Sequence, residues 1–361
     1  MAKNNSSAAT IDKTVIDGMS NQYKIEEGEV EKVIWLTRVL EALSRSEIAN
    51  DFALMGGSAI VFLYRDLYRF STDLDLDFIG DKNLGIEGKS QISDRMQHDQ
   101  KHLQLLADYL GMELQLSRDT ANIAKATTNR FVQYVMNYPS HYRKSKGAAV
   151  ELDISYRYCH AVLEPVRKPW PFEVSNLVQA FHVQTLQPEE LYAGKIIAML
   201  GGEETERIDF KNKIGLMYKR KIRHLYDTYL MAQDVEDGKK PLDLKLLKKL
   251  VLLFGVSRIK NYAFFRGDSI VAYTDDDIQK ELKSVTPQGK NVPTSQVMKW
   301  TVRRFLDQHI LNYGKTEIKF IEDFTAKIFR PERIFKPAEV ERIKNMFFYK
   351  EMLEKVVPLN G

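Results

Sequence analysis

Apolar and polar positions in the first half of the chain follow the helical period in some segments and the strand period in others. Val30, Val33 and Ile34 begin a repeat that predicts a helix over residues 27–45. Residues 52–55 are a short apolar run that meets two glycines. This pattern is typical of a buried strand and a tight turn, and we expect the helix after the turn over residues 59–68.

A period of two is clearest between residues 71 and 79. Asp73, Asp75 and Asp77 alternate there with apolar residues, so we expect a strand with the three carboxylates on one face. A helix is expected over residues 90–110. Further strands are expected at residues 112–116, 131–136 and 148–155. Strands and helices combined in this way predict an α+β or α/β fold.

From residue 187 onward the pattern is helical almost throughout. The predicted helices cover residues 188–200, 218–233, 243–254, 295–310, 318–329 and 337–357. Residues 1–25 are rich in Ser, Asn and Ala and have no convincing apolar period, which favours a flexible arm. We therefore predict an arm over residues 1–25, a mixed domain over 26–185 and an all-helical domain over 186–361.

Composition narrows the class of protein. Hydrophobic residues make up 44% of the 361 residues and charged residues 28%, which is typical of globular domains and excludes wholesale disorder. The longest apolar stretch, residues 250–256, is too short to cross a membrane. The polar N-terminus lacks the apolar region of a secretory signal, so we expect a cytoplasmic protein. The single cysteine, Cys159, is expected to be a small buried apolar residue.

The acidic strand is the first chemical signal. Carboxylates held a few ångströms apart repel one another unless a cation lies between them, and their hard oxygens suit Mg²⁺. The turn at Gly56, Gly57 and Ser58 comes before this strand and offers backbone N–H groups at the start of a helix, where phosphate binds readily. Each feature alone has an ordinary structural explanation. In this order they predict a metal-assisted phosphate site.

These segments resemble a known family. The glycine turn, the helix after it and the sequence RFSTDLD at residues 69–75 resemble motif I of the nucleotidyltransferase superfamily, in particular the AbiEii/AbiGii toxin family of abortive-infection and toxin–antitoxin systems. PEELYAGK at residues 188–195 is similar to that family's helix with a lysine. RHLYDTY at residues 223–229 is similar to its later helix with an arginine and an aspartate. The resemblance covers about residues 50–235.

The resemblance implies a nucleotidyltransferase-fold mixed sheet flanked by helices, followed by an all-helical domain. It implies four catalytic residues, Asp73, Asp75, Lys195 and Asp227. The residues implied in nucleotide binding are Gly56, Gly57, Ser58, Arg69, Ser71 and Lys195. The implied cofactor is Mg²⁺, expected as two ions, with Asp73, Asp75 and Asp153 as ligands and an NTP as co-substrate.

The residues themselves leave alternatives open for the two helical motifs. Lys195, on an otherwise apolar helix, could simply extend to solvent. Arg223 and Asp227 are four residues apart and could form only a surface ion pair. His224 stands where many members of the family have aspartate, which would change the titration and the metal affinity at that position.

The third metal-binding carboxylate is also open. Asp153 and Glu151 share a face of one predicted strand, and either could be the ligand. Asp77 is an acid that the family often lacks. It could be a spare ligand or a solvated residue.

The expected function is that of a toxin that transfers NMP from an NTP to an RNA acceptor, at the 3′ end of a tRNA, and is paired with a cognate antitoxin. The alternatives are a small-molecule or protein hydroxyl as acceptor, or a catalytically silent nucleotide- or RNA-binding protein. The net charge of +4 favours no class of partner. Residues 218–260, however, hold eleven Lys and Arg against five Asp and Glu, and residues 143–146 are also basic, which favours phosphate contacts.

Overall fold

A computed structural model gives the arrangement of most of the chain. The structure describes residues 11–65, 68–80, 89–116, 130–142, 148–156, 161–172, 174, 177–200, 214–258, 265, 270, 275–283, 285–287, 291–326, 328–346 and 349. The chain divides into two compact units, and the main division falls between Leu186 and Gln187.

The first unit contains seven strands and the helices associated with them. Its helices are α1 (Lys13–Tyr23), α2 (Glu27–Ser44), a single turn α3 (Gly56–Ser58) that continues as a π-helical segment (Ala59–Tyr64), and α4 (Lys89–Leu110). Its strands are β1 (Phe52–Met55), β2 (Asp73–Phe78), β3 (Glu113–Leu116), β4 (Phe131–Asn137), β5 (Ala149–Ser155), β6 (Val166–Pro169) and β7 (His182–Thr185). The expected α+β class is confirmed.

The seven strands form one mixed sheet in the order β3-β4-β5-β2-β1-β7-β6. β2 lies between β1, to which it is antiparallel, and β5, to which it is parallel. The acidic strand is therefore inside the sheet and has a neighbour on each side. Apolar residues of β2 and β5, such as Leu74, Leu76 and Leu152, are buried on the opposite face, which fixes the face that the acids occupy.

The segment predicted as a flexible arm contains an ordered helix. Asp12 caps α1 by accepting a hydrogen bond from the backbone N–H of Thr14 at 2.9 Å, and Ile16 is fully buried. Tyr23 packs its ring against Phe70 and Phe172. With few apolar residues, the helix gives a weak periodic signal, so its packing could not be predicted from its own sequence.

The glycine turn leads directly into a helix, earlier than predicted. Helical structure starts at Gly56 and ends at Tyr64, because Arg65 has extended backbone. The expected strand before the turn is present as β1. The expected helix over residues 59–68 is thus shifted toward the glycines, and its residues 66 and 67 lie outside the described part of the chain.

The second unit is helical in its described part. Its helices are α5 (Pro188–Leu200), α6 (Ile214–Glu236), α7 (Leu244–Arg258), α8 (Asp275–Lys283), α9 (Ser295–Phe305), α10 (Lys315–Thr325) and α11 (Pro337–Lys344). The sequence pattern did not predict α8. Two short segments of this half, Val285–Gln288 and Asn345–Phe347, belong to the first unit instead. Within the ranges described, no helix is both long and apolar enough to cross a bilayer.

One substitution tests whether α1 contributes to the fold. We expect Ile16→Ala to lower the free energy of unfolding by about 2–4 kcal/mol, because it removes a fully buried side chain and leaves a cavity. The measurement is urea-induced unfolding followed by circular dichroism. Gln22→Ala, at an exposed position of the same helix, is the control and should change stability little. Equal stability of the two variants would show that α1 adds nothing to the core.

Candidate active site

The register of β2 against β5 brings acids of two strands side by side. Asp73 lies opposite Glu151, and Asp75 lies opposite Asp153. Because both strands alternate with the same period and run in parallel, these four carboxylates share one face of the sheet. The side chain of Asp73 is 42% exposed, so this face is open to solvent at the first acid.

The glycine turn lies directly against these acids. Gly56 has a φ angle of +72°, a conformation that favours glycine. A Cβ atom at Gly56 would lie 1.8 Å from Oδ2 of Asp75, well inside any allowed contact. Only a glycine therefore lets the carboxylate of Asp75 approach the start of α3. The backbone N–H groups of the turn and the carboxylate oxygens of Asp75 therefore lie close together.

Ser58 ties the turn to the acidic strand. Its hydroxyl donates a hydrogen bond to the main-chain oxygen of Asp73 at 2.5 Å, and the residue is fully buried. The hydroxyl thus fixes the distance between α3 and β2. Binding of a phosphate at this turn would rely on backbone N–H groups.

Asp153 is the acid whose ionisation the site changes most clearly. Burial, followed by the charge of Asp75, raises the pKa of Asp153 to about 7, with smaller contributions from Asp73 and Glu151. The side-chain amide of Gln133, on β4, donates to Oδ1 of Asp153 at 2.7 Å and acts in the opposite direction. The structure places Asp153 opposite Asp75 and Glu151 opposite Asp73, so the choice of Asp153 as the third carboxylate stays a prediction.

The oxygen donors suit a divalent cation of the Mg²⁺ type. Gly56 leaves room for the carboxylate of Asp75, and the charge of Asp75 helps to raise the pKa of Asp153. An added positive charge would reduce this repulsion. Among the described residues, however, no three His, Cys, Asp or Glu side chains are already grouped to hold an ion. Mg²⁺ prefers carboxylate oxygens such as those of Asp73 and Asp75, and it completes its shell with waters and substrate phosphates.

Three other predicted residues of this segment are buried. Asp77 is only 3% exposed, so the alternative of a solvated acid is wrong. Arg69 is 2% exposed, and its guanidinium donates to the main-chain oxygen of Phe70. Ser71 is 7% exposed. The part of Arg69 and Ser71 in nucleotide binding stays a prediction, as does that of Asp77 as a spare metal ligand.

The second unit brings its two predicted catalytic residues together. Nζ of Lys195, on α5, lies 3.6 Å from Oδ2 of Asp227, on α6, and 3.3 Å from Nδ1 of His224. Lys195 is 8% exposed and Asp227 is fully buried. The alternatives of a solvent-directed lysine and a surface ion pair of Asp227 are therefore wrong.

Two functional neighbours were missed by the sequence analysis. Lys32, on α2, reaches Oδ1 of Asp73 at 3.4 Å, and Gln133 holds Asp153. Lys32 and its neighbour Glu31 interrupt an apolar helical run, which was an available signal. Nothing in the alternation of β4 marks Gln133.

Several predicted features lie outside the described residues, and some lysines of the basic segment contact other residues of the chain. Cys159 and the basic residues 143–146 are not described, nor are the side chains at 219–221. Of the described lysines in the basic segment, Lys239 pairs with Asp237, and Lys248 donates to Asn312 and pairs with Glu317.

A pocket lies elsewhere in the first unit. It is lined by residues such as Leu40, Phe52, Arg167 and His182. It contains none of the predicted site residues and is separate from the acidic face.

The mixed sheet, with a glycine turn at the start of a helix and acids on two adjoining strands, has the arrangement that the resemblance to nucleotidyltransferases led us to expect. The family described as Nucleotidyl transferase AbiEii toxin, Type IV TA system, matches residues 38–353. The chain belongs to this family. Its members use an NTP and a divalent metal, and the type IV system implies an antitoxin partner.

One solved structure extends the comparison of the fold. MenT4, a nucleotidyltransferase toxin from Mycobacterium tuberculosis H37Rv, is similar to this chain with a TM-score of 0.56 and 12% sequence identity. The match covers 97% of this chain and all of that one. At this identity the likeness concerns the fold alone. The search of curated proteins returned no match.

Gly56→Ala should disrupt the site through the contact with Asp75. The new Cβ would displace that carboxylate and adopt an unfavourable φ, so we expect NMP transfer to fall at least about 100-fold and the free energy of unfolding to fall by about 1–3 kcal/mol. Activity and thermal unfolding are measured together. Gly18→Ala, in α1 with nothing within 4 Å of the new atom, is the control. A fully active and stable Gly56→Ala protein would contradict the close contact.

The raised pKa of Asp153 predicts a pH-dependent stability in the absence of metal. Between about pH 4 and 7 the folded protein holds a proton that the unfolded chain has lost, so this group's contribution to stability declines as the pH rises through that range. Asp153→Asn should therefore unfold several degrees higher than the wild type at pH 8, with a smaller difference at pH 5. Mg²⁺ should raise the melting temperature of the wild type more than that of the variant.

Asp94→Asn, at an exposed position of α4, is the control for the loss of one negative charge. A melting temperature that is the same for wild type and Asp153→Asn at every pH, measured by scanning fluorimetry, would contradict the predicted repulsion.

Proposed function

We propose that this protein transfers an NMP group from an NTP to the 3′ end of a tRNA or another RNA, and that this reaction stops translation until the antitoxin acts. The observation that carries the proposal is the joint position of the Gly56 turn and the acids of β2 and β5. It combines phosphate-binding N–H groups with the oxygen ligands of a divalent cation. We place the reaction in the cytoplasm, where RNA and NTP are both present.

In this proposal the acceptor hydroxyl oxygen bonds to the α-phosphorus, the bond to the bridging oxygen of the β-phosphate breaks, and pyrophosphate leaves with that electron pair. The hydroxyl proton passes to water. Mg²⁺, expected as two ions, supplies charge neutralisation for the attacking and leaving oxygens when bound. Asp73 and Asp75 would hold the metal, and Asp153 would be the third carboxylate.

The remaining roles follow from the contacts of each residue. Gly56, Gly57 and Ser58 bind phosphate oxygens through backbone N–H groups, since the Ser58 hydroxyl is used by Asp73. Lys195 neutralises triphosphate charge, as the family resemblance implies. Asp227 forms an ion pair with Lys195 and favours its charged form.

RNA is favoured as the acceptor by the excess of basic residues in positions 218–260, where eleven Lys and Arg stand against five Asp and Glu. Contacts to RNA phosphates release bound counterions, so RNA modification should weaken steeply as salt rises. Transfer to a small molecule or a protein hydroxyl would depend much less on salt.

The test is incubation of the purified protein with Mg²⁺, total cellular RNA and each α-³²P-labelled NTP in turn. We expect label on a tRNA-sized band with one or two of the NTPs. Asp75→Asn should lower this labelling at least about 1,000-fold, because it removes a ligand of the metal that stabilises the transferring phosphate.

Asp94→Asn removes a carboxylate from an exposed part of α4 and should label RNA like the wild type. Label on protein or on small molecules instead of RNA would overturn the acceptor and keep the transferase. Equal growth arrest by wild type and Asp75→Asn in cells would overturn catalytic toxicity and leave binding as its cause.

A further inference from the structure

Lys32 is a buried lysine whose described contact is with the candidate site. The residue is 8% exposed on α2, and its Nζ lies 3.4 Å from Oδ1 of Asp73. An ammonium group has three donors, and burying it without partners is costly. Within the described residues, Asp73 is the oxygen that Lys32 reaches. The position of this lysine in an apolar helix therefore depends on the acidic face.

Glu31, the neighbour of Lys32 on α2, is a buried charged residue whose contacts are structural. Glu31 is fully buried, and its carboxylate accepts from the hydroxyl of Ser140 and from the backbone N–H of His141, the latter at 2.8 Å. These bonds fasten the chain after β4 to α2. Lys32 makes no comparable set of short bonds in the described part of the chain, and its partner Asp73 is 42% exposed.

We propose that Lys32 is a positioning residue for Asp73 and that its charge makes the site bind the divalent cation together with the nucleotide rather than alone. The ammonium holds Oδ1 and leaves Oδ2 of Asp73 available as a ligand. This inference rests on the proposed nucleotidyl transfer and adds a residue from outside the segments that carry the family motifs.

Lys32 and a bound cation compete for the carboxylate of Asp73. Asp73, Asp75, Glu151 and Asp153 share one face and attract a free cation, whereas Lys32 already neutralises Asp73 and repels a second positive charge. The phosphates of an NTP bring negative charge that offsets Lys32. The site should therefore bind metal weakly without nucleotide and strongly with it.

The experiment measures Mn²⁺ binding by electron paramagnetic resonance in the presence and absence of a non-hydrolysable NTP analogue. For Lys32→Met, which keeps length and removes charge, we expect the affinity for Mn²⁺ alone to rise about tenfold. The gain in Mn²⁺ affinity caused by the nucleotide should shrink. The kcat for labelling RNA should fall at least about tenfold, because Asp73 loses its fixed orientation.

Further variants separate positioning from packing. Lys32→Arg keeps the charge and should bind Mn²⁺ alone as weakly as the wild type. In an Asp73→Asn background, Lys32→Met should raise Mn²⁺ affinity less than it does in the wild type, because the part of its effect that acts through Asp73 is already lost. Lys101→Met, at an exposed position of α4, is the control and should match the wild type in every assay.

A lower melting temperature for Lys32→Met with unchanged Mn²⁺ affinity would overturn the proposal and leave Lys32 as a packing residue. Equal changes in single and double variants would also overturn it. Because the Mn²⁺ assay uses no acceptor, failure of the wild type to label RNA would count against the RNA acceptor and leave this inference standing.

Discussion

The repulsion among carboxylates on β2 and β5 is the constraint that the surrounding structure accommodates. Parallel pairing aligns Asp75 with Asp153 and Asp73 with Glu151, so the sheet itself holds like charges together. The neighbouring residues then moderate this arrangement. Gly56 gives Asp75 space, Gln133 donates to Asp153, and Lys32 lies against Asp73. A site arranged in this way lowers stability locally and favours the binding of a cation.

Apolar packing on the other face of the sheet offsets the repulsion among these carboxylates. Leu74, Leu76 and Leu152 fill the other face of the same strands, and α2 is buried along most of its length. This packing fixes the register, and a slip of one residue would move every acid into the core. The stability of the sheet and the position of the acids thus have the same origin.

The extent to which sequence predicted the site depends on the range of the contacts. The period of two predicted β2, and the order of the glycines and acids predicted that the turn and the acids lie together, because both are local patterns. Lys32 and Asp73 are separated by 41 residues, and Gln133 and Asp153 by 20. Those contacts depend on how α2 and β4 are placed by the fold. Helix α1 was not predicted for the same reason, since Tyr23 at its end packs against Phe70 and Phe172, which are distant in the chain.

The two lysine–aspartate pairs, Lys195–Asp227 and Lys32–Asp73, differ in how far the aspartate is exposed to solvent. Asp227 is fully buried beside Lys195, whose side chain is 10% exposed, so the aspartate of that pair is not open to a ligand. Asp73 is 42% exposed beside Lys32, so one side of that pair is open to a ligand. Removing one partner of a buried ion pair leaves an uncompensated buried charge. Substitution of Asp227 therefore changes stability and chemistry together, whereas substitution of Asp73 acts mainly on the site.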